Sequence, residues 1–355
     1  YHNNSKVFIM SLLINNLDNS DVLSSYNFAR LSDIVFSEVV TKDQYEELKT
    51  KHTKVLEEND STIFYSVDEI DLRENSIIFT NTYLVNELFS KLNSSNFKNI
   101  KVITSQTDHK IDKKRFKKIP NCVSKWYAIN VTHKDEKLVP IPLGLANEYS
   151  PKNIFKKNFL DITEENKKIN KIYLNFEINT NYFHRQKLKR YLSTKSVVQI
   201  EENKIDNKQY LERLNKYKFV LCPWGNGIDT HRIWETIYAG SIPIIPKHYI
   251  FYSIFGNDKL LFNNFIEIET MIGKLQNNFL EHFDHKIMTM HYWSEKIVNA
   301  KRVNKIQKSE NIKFNLKDIE INYKNFKKKE SKIKRYNTFL RKMHNKVLNF
   351  QIKIS

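Results

Sequence analysis

The segment FVLCPWGNGIDTHRIWETIYAGSIPIIP, residues 219–246, is the most informative part of the chain. Its first apolar run, residues 219–222, is short enough for a buried parallel strand, and residues 241–245 form a second such run between Gly240 and Pro246. A glycine-containing loop and a helix-forming stretch separate the two runs. The segment therefore predicts a βαβ unit of the kind that binds phosphate, with both strands in one parallel sheet.

The helix between these strands has two unlike sides if Asp229 or Thr230 caps it. At about 100° per residue, four apolar side chains share one arc: Ile233, Trp234, Ile237 and Tyr238. Four polar side chains share the opposite arc: Asp229, Arg232, Glu235 and Thr236. We expect the apolar arc to pack on the sheet and the polar arc to face a cleft.

The loop that precedes this helix suits a diphosphate. Gly225 and Gly227 let the backbone turn tightly and approach a ligand, and the helix start offers unpaired N–H groups and a positive dipole end. The loop PWGNG is neither a Walker loop nor GxGxxG, which argues against a P-loop NTPase and a dinucleotide dehydrogenase. The alternative is an ordinary strand-loop-helix corner whose glycines only make the turn. The crowding of charged and imidazole side chains at one helix end favours the ligand site.

Alternating strand and helix signals along the 355 residues predict an α/β fold, and a chain of this length is expected to form two domains of about 150 residues each. Strands are predicted at residues 7–14, 77–80, 100–104, 126–131, 171–176, 197–200, 219–222, 241–245 and 260–262. Further helices are predicted at residues 44–57, 81–92, 184–192, 208–217 and 265–278. The proline-containing segment LVPIPLGLANEYSP, residues 138–151, predicts an extended crossing between domains at residues 1–145 and 146–310, and a tail follows at residues 311–355.

Cysteine usage and hydropathy predict a cytoplasmic protein. Only two cysteines occur, Cys122 and Cys222, and no CxxC or Cys/His metal spacing is present. No stretch approaches the roughly 20 apolar residues of a spanning helix, because VFIMSLLI at residues 7–14 is too short and lacks a basic leader. A trimmed N-terminal anchor or targeting piece stays open, since the chain begins at Tyr1 without methionine.

The net charge of +18 is concentrated at the C-terminus. Residues 324–355 contain eleven Lys or Arg and the single acid Glu330, a net charge of +10. Apolar side chains alternate with these cations: Phe326, Tyr336, Phe339, Leu340, Met343, Val347, Leu348 and Phe350. The pattern predicts a basic amphipathic helical tail that docks on an anionic membrane surface or on a partner. A solvated tail and nucleic-acid contact are the alternatives.

A second polar loop follows the strand predicted at residues 171–176. It leads through EINTN, residues 177–181, into a helix whose first turn holds His184 and Arg185. Ligands of open parallel sheets bind outside the carboxyl ends of the strands. If this strand neighbours the one before PWGNG, Arg185 and Arg232 would both reach one diphosphate. The alternative for Arg185 is a surface cation, although a cation at a helix start opposes the helix dipole.

Three segments together resemble exostosin-type glycosyltransferases of the GT-B architecture: LVPIPLGL at residues 138–145, KIYLNFEINTNYFHR at 171–185, and the segment 219–246. The resemblance is best across residues 138–250, and its core is a glycine loop followed by R-x-W/F-E-x-x-x-x-G-x-I-P. It implies two Rossmann-like α/β domains that face each other across a cleft. It also implies transfer of a sugar, with inversion, from a nucleotide-diphosphate donor on the C-terminal domain to an acceptor on the N-terminal domain.

The resemblance implies donor-binding roles for the polar side chains of the helix. Arg232 would neutralise the diphosphate leaving group, and Glu235 would bind the donor ribose or sugar hydroxyls. Asp229 would contact the sugar or position Arg232. His231 and His248 are interpreted as structural or donor-contacting residues.

The loop itself would bring main-chain donors to the phosphates at Gly225, Asn226 and Gly227. Trp224 and Asn226 give it more bulk than a plain glycine loop has. The D-x-D strand end of metal-bound GT-A enzymes is missing from the sequence. We therefore expect a nucleotide-diphosphate sugar as donor substrate and neither an obligatory metal nor another cofactor.

An inverting transfer also needs a base near the acceptor hydroxyl. Asp108 and His109 follow the strand predicted at residues 100–104, with His133 and Asp135 behind them. Asp108 is the preferred candidate. The alternative is that these are ordinary turn residues.

Three functions are compatible with these patterns. The leading hypothesis is a cytoplasmic or peripheral-membrane glycosyltransferase that builds a surface polysaccharide or glycoconjugate on a glycan or lipid-linked acceptor. The second is a nucleic-acid-binding protein that uses the basic tail, and the third is a catalytically silent scaffold that keeps a nucleotide cleft. Nucleic acid is the less expected partner, because more than half of the excess positive charge lies in the last 32 residues.

Overall fold

A computed structural model of the chain describes residues 17–154, 168–275, 284–298 and 308–354. Within these ranges the protein is a mixed α/β structure with a seven-stranded sheet, a five-stranded sheet and a two-stranded sheet. The strand predicted at residues 7–14 lies outside the described residues, as does the end of the helix predicted at residues 265–278.

The first sheet has the strand order β2-β3-β1-β5-β6-β7-β8. Its strands are β1 (Ile34–Thr41), β2 (Thr53–Glu58), β3 (Thr62–Val67), β5 (Ile77–Asn81), β6 (Ile100–Ser105), β7 (Val123–Ala128) and β8 (Leu138–Pro140), and β4 (Glu69–Arg73) belongs to the two-stranded sheet. Strands β1 and β5 to β8 run parallel, whereas β2 and β3 form an antiparallel edge beside β1. The central strands β5 and β6 are almost fully buried, as expected for a sheet covered on both faces.

Four helices accompany this sheet: α1 (Ser25–Arg30), α2 (Lys42–Leu48), α3 (Val85–Leu92) and α4 (Lys113–Phe116). The helix predicted over residues 44–57 is wrong beyond Leu48. A capping box between Thr41 and Gln44 starts α2 early, and a turn at residues 50–53 then leads into strand β2. The β-branched residues of that strand suit its edge position better than a helix.

The strand predicted over residues 126–131 instead spans Val123–Ala128. Two residues after its end, Asn130 adopts a left-handed backbone conformation, φ 54°, which regular strand geometry excludes. Part of the predicted extended crossing, Leu138–Pro140, joins the first sheet as its edge strand β8.

The second sheet is entirely parallel, with the order β10-β9-β11-β12-β13. Its strands are β9 (Ile169–Leu174), β10 (Val198–Ile200), β11 (Tyr217–Leu221), β12 (Ile242–Pro246) and β13 (Leu261–Phe262). Its helices are α5 (Tyr182–Leu192), α6 (Asn207–Lys216), α7 (His231–Tyr238), α8 (Tyr249–Phe255) and α9 (Glu267–Leu275). The predicted α/β class is confirmed, and the arrangement is consistent with a two-domain, Rossmann-like GT-B fold.

The chain returns to the first domain at its end. Helix α10 (Met290–Val298) precedes β14 (Ser309–Lys313), which pairs antiparallel with β4. Helix α11 (Leu316–Ile354) follows, and it buries Ile319 and Tyr323 near its start. The domain boundaries given above stay predictions. Among the described residues, no helix has both the length and the apolar character needed to cross a bilayer.

Candidate functional site

Asn130 connects the carboxyl end of a parallel strand in the first sheet with the loop after a strand of the second sheet. This residue follows β7, is 1% exposed, and lies against the loop after β11. Its Oδ1 accepts hydrogen bonds from the main-chain N–H groups of Ile228, at 2.8 Å, and Asp229, at 3.0 Å. The first domain thus supplies an acceptor to the beginning of the segment that leads into helix α7.

Gly227 allows this approach. A Cβ atom at position 227 would lie 2.8 Å from the side-chain amide of Asn130, closer than packed atoms come. The sequence predicts that the backbone at this glycine approaches a ligand. In the structure it approaches the side chain of Asn130 from the first domain. Within the same loop, the N–H of Gly225 donates to the carbonyl oxygen of Gly227 at 3.0 Å, and Asn226 is exposed.

Asp229 joins the domain-connecting segment to helix α7. Its buried carboxylate accepts from the N–H of Leu143 at 2.8 Å and from the indole Nε1 of Trp234 at 2.9 Å. Burial raises the pKa of Asp229 to about 7. His231 makes a second link, because its Nδ1 lies 2.7 Å from the carbonyl oxygen of Gly144. The side chains of Asp229 and His231 therefore bond to other residues of the chain, and both attach the start of helix α7 to the segment that connects the domains.

Arg185 fixes the shape of the loop after β11. Its buried guanidinium donates to three main-chain carbonyls, those of Trp224 at 2.8 Å, Glu177 at 2.6 Å and Pro223 at 2.9 Å. Burial and the neighbouring Arg232 lower the pKa of Arg185 to about 10. The two strands are neighbours, which is the condition for both arginines to reach one ligand, since β9 pairs with β11. The two arginines consequently lie at the same corner of the sheet.

Arg232 is the least satisfied cation of this corner. Its guanidinium lies over the ring of Tyr210, with 5.2 Å between its carbon and the ring centroid. Its Nη1 is buried and makes no hydrogen bond with any described residue. Because arginine stays charged and always donates, this geometry suits an anionic acceptor. The hydroxyl of Thr230, the residue before α7, is also buried without a partner in the described chain.

The polar arc predicted to face a cleft is instead mostly buried. Glu235 is 6% exposed and accepts from the hydroxyl of Tyr210 at 2.9 Å, and Thr236 lies against the thiol of Cys222. Helix α6, which carries Tyr210, covers this side of α7. Of the four polar side chains predicted to face outwards, Arg232 alone brings an unsatisfied group to the corner.

Aromatic rings line the same loop. Trp224 stacks on His184 with 6.2 Å between ring centroids and meets His248 edge to face at 5.7 Å. The indole Nε1 of Trp224 and the Nδ1 of His184 are buried without partners among the described residues. Burial lowers the pKa of His248, and the first-domain cations Lys110 and Lys134 lower it further. Basic side chains of the first domain therefore lie near this loop.

The two candidate bases follow β6, on the same edge of the first sheet as Asn130. Asp108 is exposed, whereas His109 lies between the rings of Tyr83, at 5.2 Å, and Phe326, at 4.9 Å. Burial, together with Arg115, lowers the pKa of His109. The structure thus separates the neighbours: the carboxylate faces outwards and the imidazole packs under helix α11.

His133 and Asp135 contact nearby parts of the chain. The carbonyl oxygen of His133 accepts from the hydroxyl of Tyr249 in the second domain at 2.8 Å, and Asp135 accepts from the N–H of Lys137. Within the described ranges, no cluster of three or more His, Cys, Asp or Glu side chains is arranged to hold a metal ion. A surface cavity of about 1200 Å³, lined by Arg30, Asn147, His291 and their neighbours, includes none of the predicted donor-site residues.

Two residues of the site escape prediction from the sequence: Asn130 and Tyr210. Asn130 acts across 98 positions of the chain, and no local pattern marks it. Tyr210 occupies an otherwise ordinary amphipathic helix. For the aromatic side chains around the loop, the sequence does offer one local signal, because Trp224 gives the loop more bulk than a plain glycine loop has.

Comparison with known proteins finds one family. Residues 152–251 match a family model described as the RXYLT1 C-terminal domain. The match covers both arginines, the PWGNG loop and helix α7, and it suggests an exostosin-like glycosyltransferase. Comparison with the curated proteins finds no significant relative.

Proposed function

We propose that the protein is an inverting glycosyltransferase of GT-B type that uses a nucleotide-diphosphate sugar. The observation that carries the proposal is the guanidinium of Arg232, which is partly buried, lacks an ion-pair partner among the described residues, and has a free Nη1 beside the PWGNG loop. The family match over residues 152–251 supports the same conclusion. Because this match suggests a xylosyltransferase-like protein, a nucleoside-diphosphate xylose is the first donor to test.

In the proposed reaction, an acceptor hydroxyl attacks C1 of the donor sugar while the bond from C1 to the diphosphate oxygen breaks. Asp108 takes the hydroxyl proton, since its carboxylate is exposed on the first-domain edge, and His109 packs behind it. Arg232 stabilises the negative charge that develops on the departing diphosphate. The new glycosidic bond then has the opposite anomeric configuration.

The remaining predicted donor-site residues have supporting roles in this proposal. Arg185 holds the loop through three carbonyls and leaves some of its N–H groups for the diphosphate. Gly225 keeps the space beside it open, because a Cβ there would lie 3.3 Å from Nη2 of Arg185. Asn226, which is exposed, extends the loop towards the donor. Glu235 orients Tyr210 by accepting a hydrogen bond from its hydroxyl, and the guanidinium of Arg232 lies over the ring of Tyr210.

The acceptor is a glycan or a lipid-linked glycan, and neither a metal nor another cofactor is required in this mechanism. The reaction takes place in the cytoplasm. Two free thiols support this location, Cys122 half-buried and Cys222 buried.

The deciding experiment is a donor screen with the whole chain. Nucleoside-diphosphate sugars, including those of xylose, are incubated with the protein and hydrolysis is followed by mass spectrometry. One donor should be hydrolysed, and Arg232→Ala should remove both that hydrolysis and the thermal shift with the matching nucleoside diphosphate. Arg190→Ala, an exposed arginine of helix α5, is the matched control and should retain both. A wild-type protein that binds no nucleoside diphosphate refutes the proposal.

A further inference from the structure

Helix α11 crosses from the first domain to the second. Near its start, Phe326 packs on Tyr83, and Glu330 accepts from the hydroxyl of Tyr83 at 3.2 Å. Further along, Nη1 of Arg341 donates to the main-chain oxygen of Asn179 at 3.1 Å. Asn179 belongs to the short 3₁₀ helix that precedes α5 in the second domain. One face of the helix is therefore attached to both domains.

A different face of the same helix is apolar and exposed. Its five side chains have exposed fractions of 36% to 61%: Ile333, Tyr336, Phe339, Leu340 and Met343. At about 100° per residue they fall within an arc of about 120°, centred about 120° away from the face that holds Phe326, Glu330 and Arg341. We call these five residues the apolar stripe. Isolated exposed apolar residues are ordinary, but a contiguous row on one helix face marks an interaction surface.

The third face of the helix is basic. Its exposed cations lie on the side of the stripe away from the protein body: Lys324, Lys328, Arg335 and Lys342. Lys329 and Lys332 lie within the arc of the stripe itself and are exposed too. The single acid of residues 324–355, Glu330, faces Tyr83 and His109 and not the stripe. The stripe is thus bordered by positive charge: Lys324 pairs with Glu320 of the same helix, whereas Lys328, Arg335 and Lys342 form no ion pair with a described residue.

We propose that the apolar stripe docks on an anionic membrane surface. The arrangement matches an interfacial helix, whose apolar side chains enter the headgroup region while its cations contact acidic lipid headgroups. A second copy of the chain is the other occupant that the spacing allows, because positions 333, 336, 340 and 343 repeat as in a coiled coil. Two copies of residues 324–355, each with a net charge of +10, would repel each other along such a contact. An acidic lipid surface complements both the stripe and its border.

Docking through this helix would orient the whole molecule. Because α11 is attached to both domains, a membrane that binds the stripe holds both domains at a fixed angle to its surface. The inference rests on the geometry of α11 and is independent of the sugar-transfer proposal.

The test is flotation of the full chain with vesicles of phosphatidylcholine, with and without about one third phosphatidylglycerol. The wild type should float with the anionic vesicles, and about 0.5 M salt should weaken this binding. The variant Phe339→Gln, Leu340→Gln, Met343→Gln should lose at least about tenfold in partitioning while its charge is unchanged. Ile266→Gln, which alters an exposed apolar residue outside α11, is the matched control and should bind as the wild type does.

A spectroscopic variant guards against loss of folding. Tyr336→Trp should show a blue-shifted emission with anionic vesicles and an unshifted emission with neutral ones. The proposal is overturned if the wild type does not float, or if the triple variant floats equally well. It is also overturned if the wild type binds no vesicles and forms a dimer that the triple substitution converts to monomers. Salt-sensitive binding to DNA or RNA in the absence of vesicle binding also overturns it.

Discussion

The starts of helices α5 and α7 each bring an arginine to the same corner of the second sheet, yet the two side chains have opposite surroundings. Three main-chain carbonyls accept hydrogen bonds from Arg185, whereas Nη1 of Arg232 meets no acceptor in the described part of the chain. Arg185 uses three of its five N–H groups to shape the loop, whereas Arg232 brings to the corner a buried Nη1 that makes no hydrogen bond with a described residue. Buried polar groups are normally satisfied, so the unpaired Nη1 of Arg232, at the same corner as the PWGNG loop, makes this side chain a candidate for ligand binding.

The largest expected effect is on turnover by Arg232→Leu. Loss of the cation that faces the leaving group should reduce kcat by about 10² to 10³. The free energy of unfolding should change by about 1 kcal/mol or less, because replacing a partly buried cation that has no ion pair by an apolar group is seldom costly. Turnover assays and urea unfolding of the same preparation check both parts. A variant with full activity would remove the distinction between the two arginines.

Arg185→Leu should act in the opposite way, on stability first. The substitution leaves the carbonyls of Trp224, Glu177 and Pro223 without their donor, which we expect to cost about 3 kcal/mol of unfolding free energy. Urea unfolding measures this loss. Arg190→Leu on the exposed side of the same helix is the control, expected to remain within about 0.5 kcal/mol of the wild type. Equal effects of the two substitutions would contradict the proposed structural role of Arg185.

The contact of Asn130 with the loop should contribute less to the free energy of unfolding than the hydrogen bonds of Arg185 do. Asn130→Ala removes the acceptor of two main-chain N–H groups and should cost about 2 kcal/mol. Asn130→Asp restores an acceptor and should recover most of the loss. Unfolding curves of the three proteins test this order, and a neutral Asn130→Ala would show that the loop holds its shape alone.

The smallest effect concerns pH and Asp229. Burial raises the pKa of this carboxyl to about 7 in the folded state, above the usual carboxyl value of the unfolded chain. The folded state then binds more protons than the unfolded state between about pH 4 and pH 7, so this group makes stability fall as pH rises through that window. In the variant Asp229→Asn, the free energy of unfolding should decrease by about 1–2 kcal/mol less than in the wild type between about pH 4 and pH 7. Glu38, whose pKa burial also raises to about 7, contributes with the same sign in both proteins, so the difference between wild type and variant isolates Asp229.

The features of this site that can be predicted from sequence are those that depend on residues close together along the chain. Strands β9, β11 and β12 and helix α7 are predictable because local apolar runs and helical periodicity determine them. The hydrogen bonds of Arg185 and the burial of Glu235 are not predictable from local sequence. The first depend on carbonyl oxygens of two loops, and the second depends on Tyr210 of a different helix. Asn130 is further still from prediction, because its partners lie 98 and 99 positions away.

The first domain shows the same limit in its fold. Residues 44–57 have helical composition, but a turn after Leu48 and pairing with β3 turn the second half into an edge strand. The mistaken strand end at residue 131 has a similar cause, because the left-handed conformation of Asn130 is stabilised by contacts with the other domain.

The contact between Asn130 and Gly227 also constrains how related chains can diverge. Any side chain at position 227 would occupy the volume of the amide at position 130, so a change at one position demands a compensating change at the other. In homologous sequences these two sites should vary as a pair, although they belong to different lobes. A second lobe produced by itself would lack that amide, and its nucleotide affinity should fall accordingly.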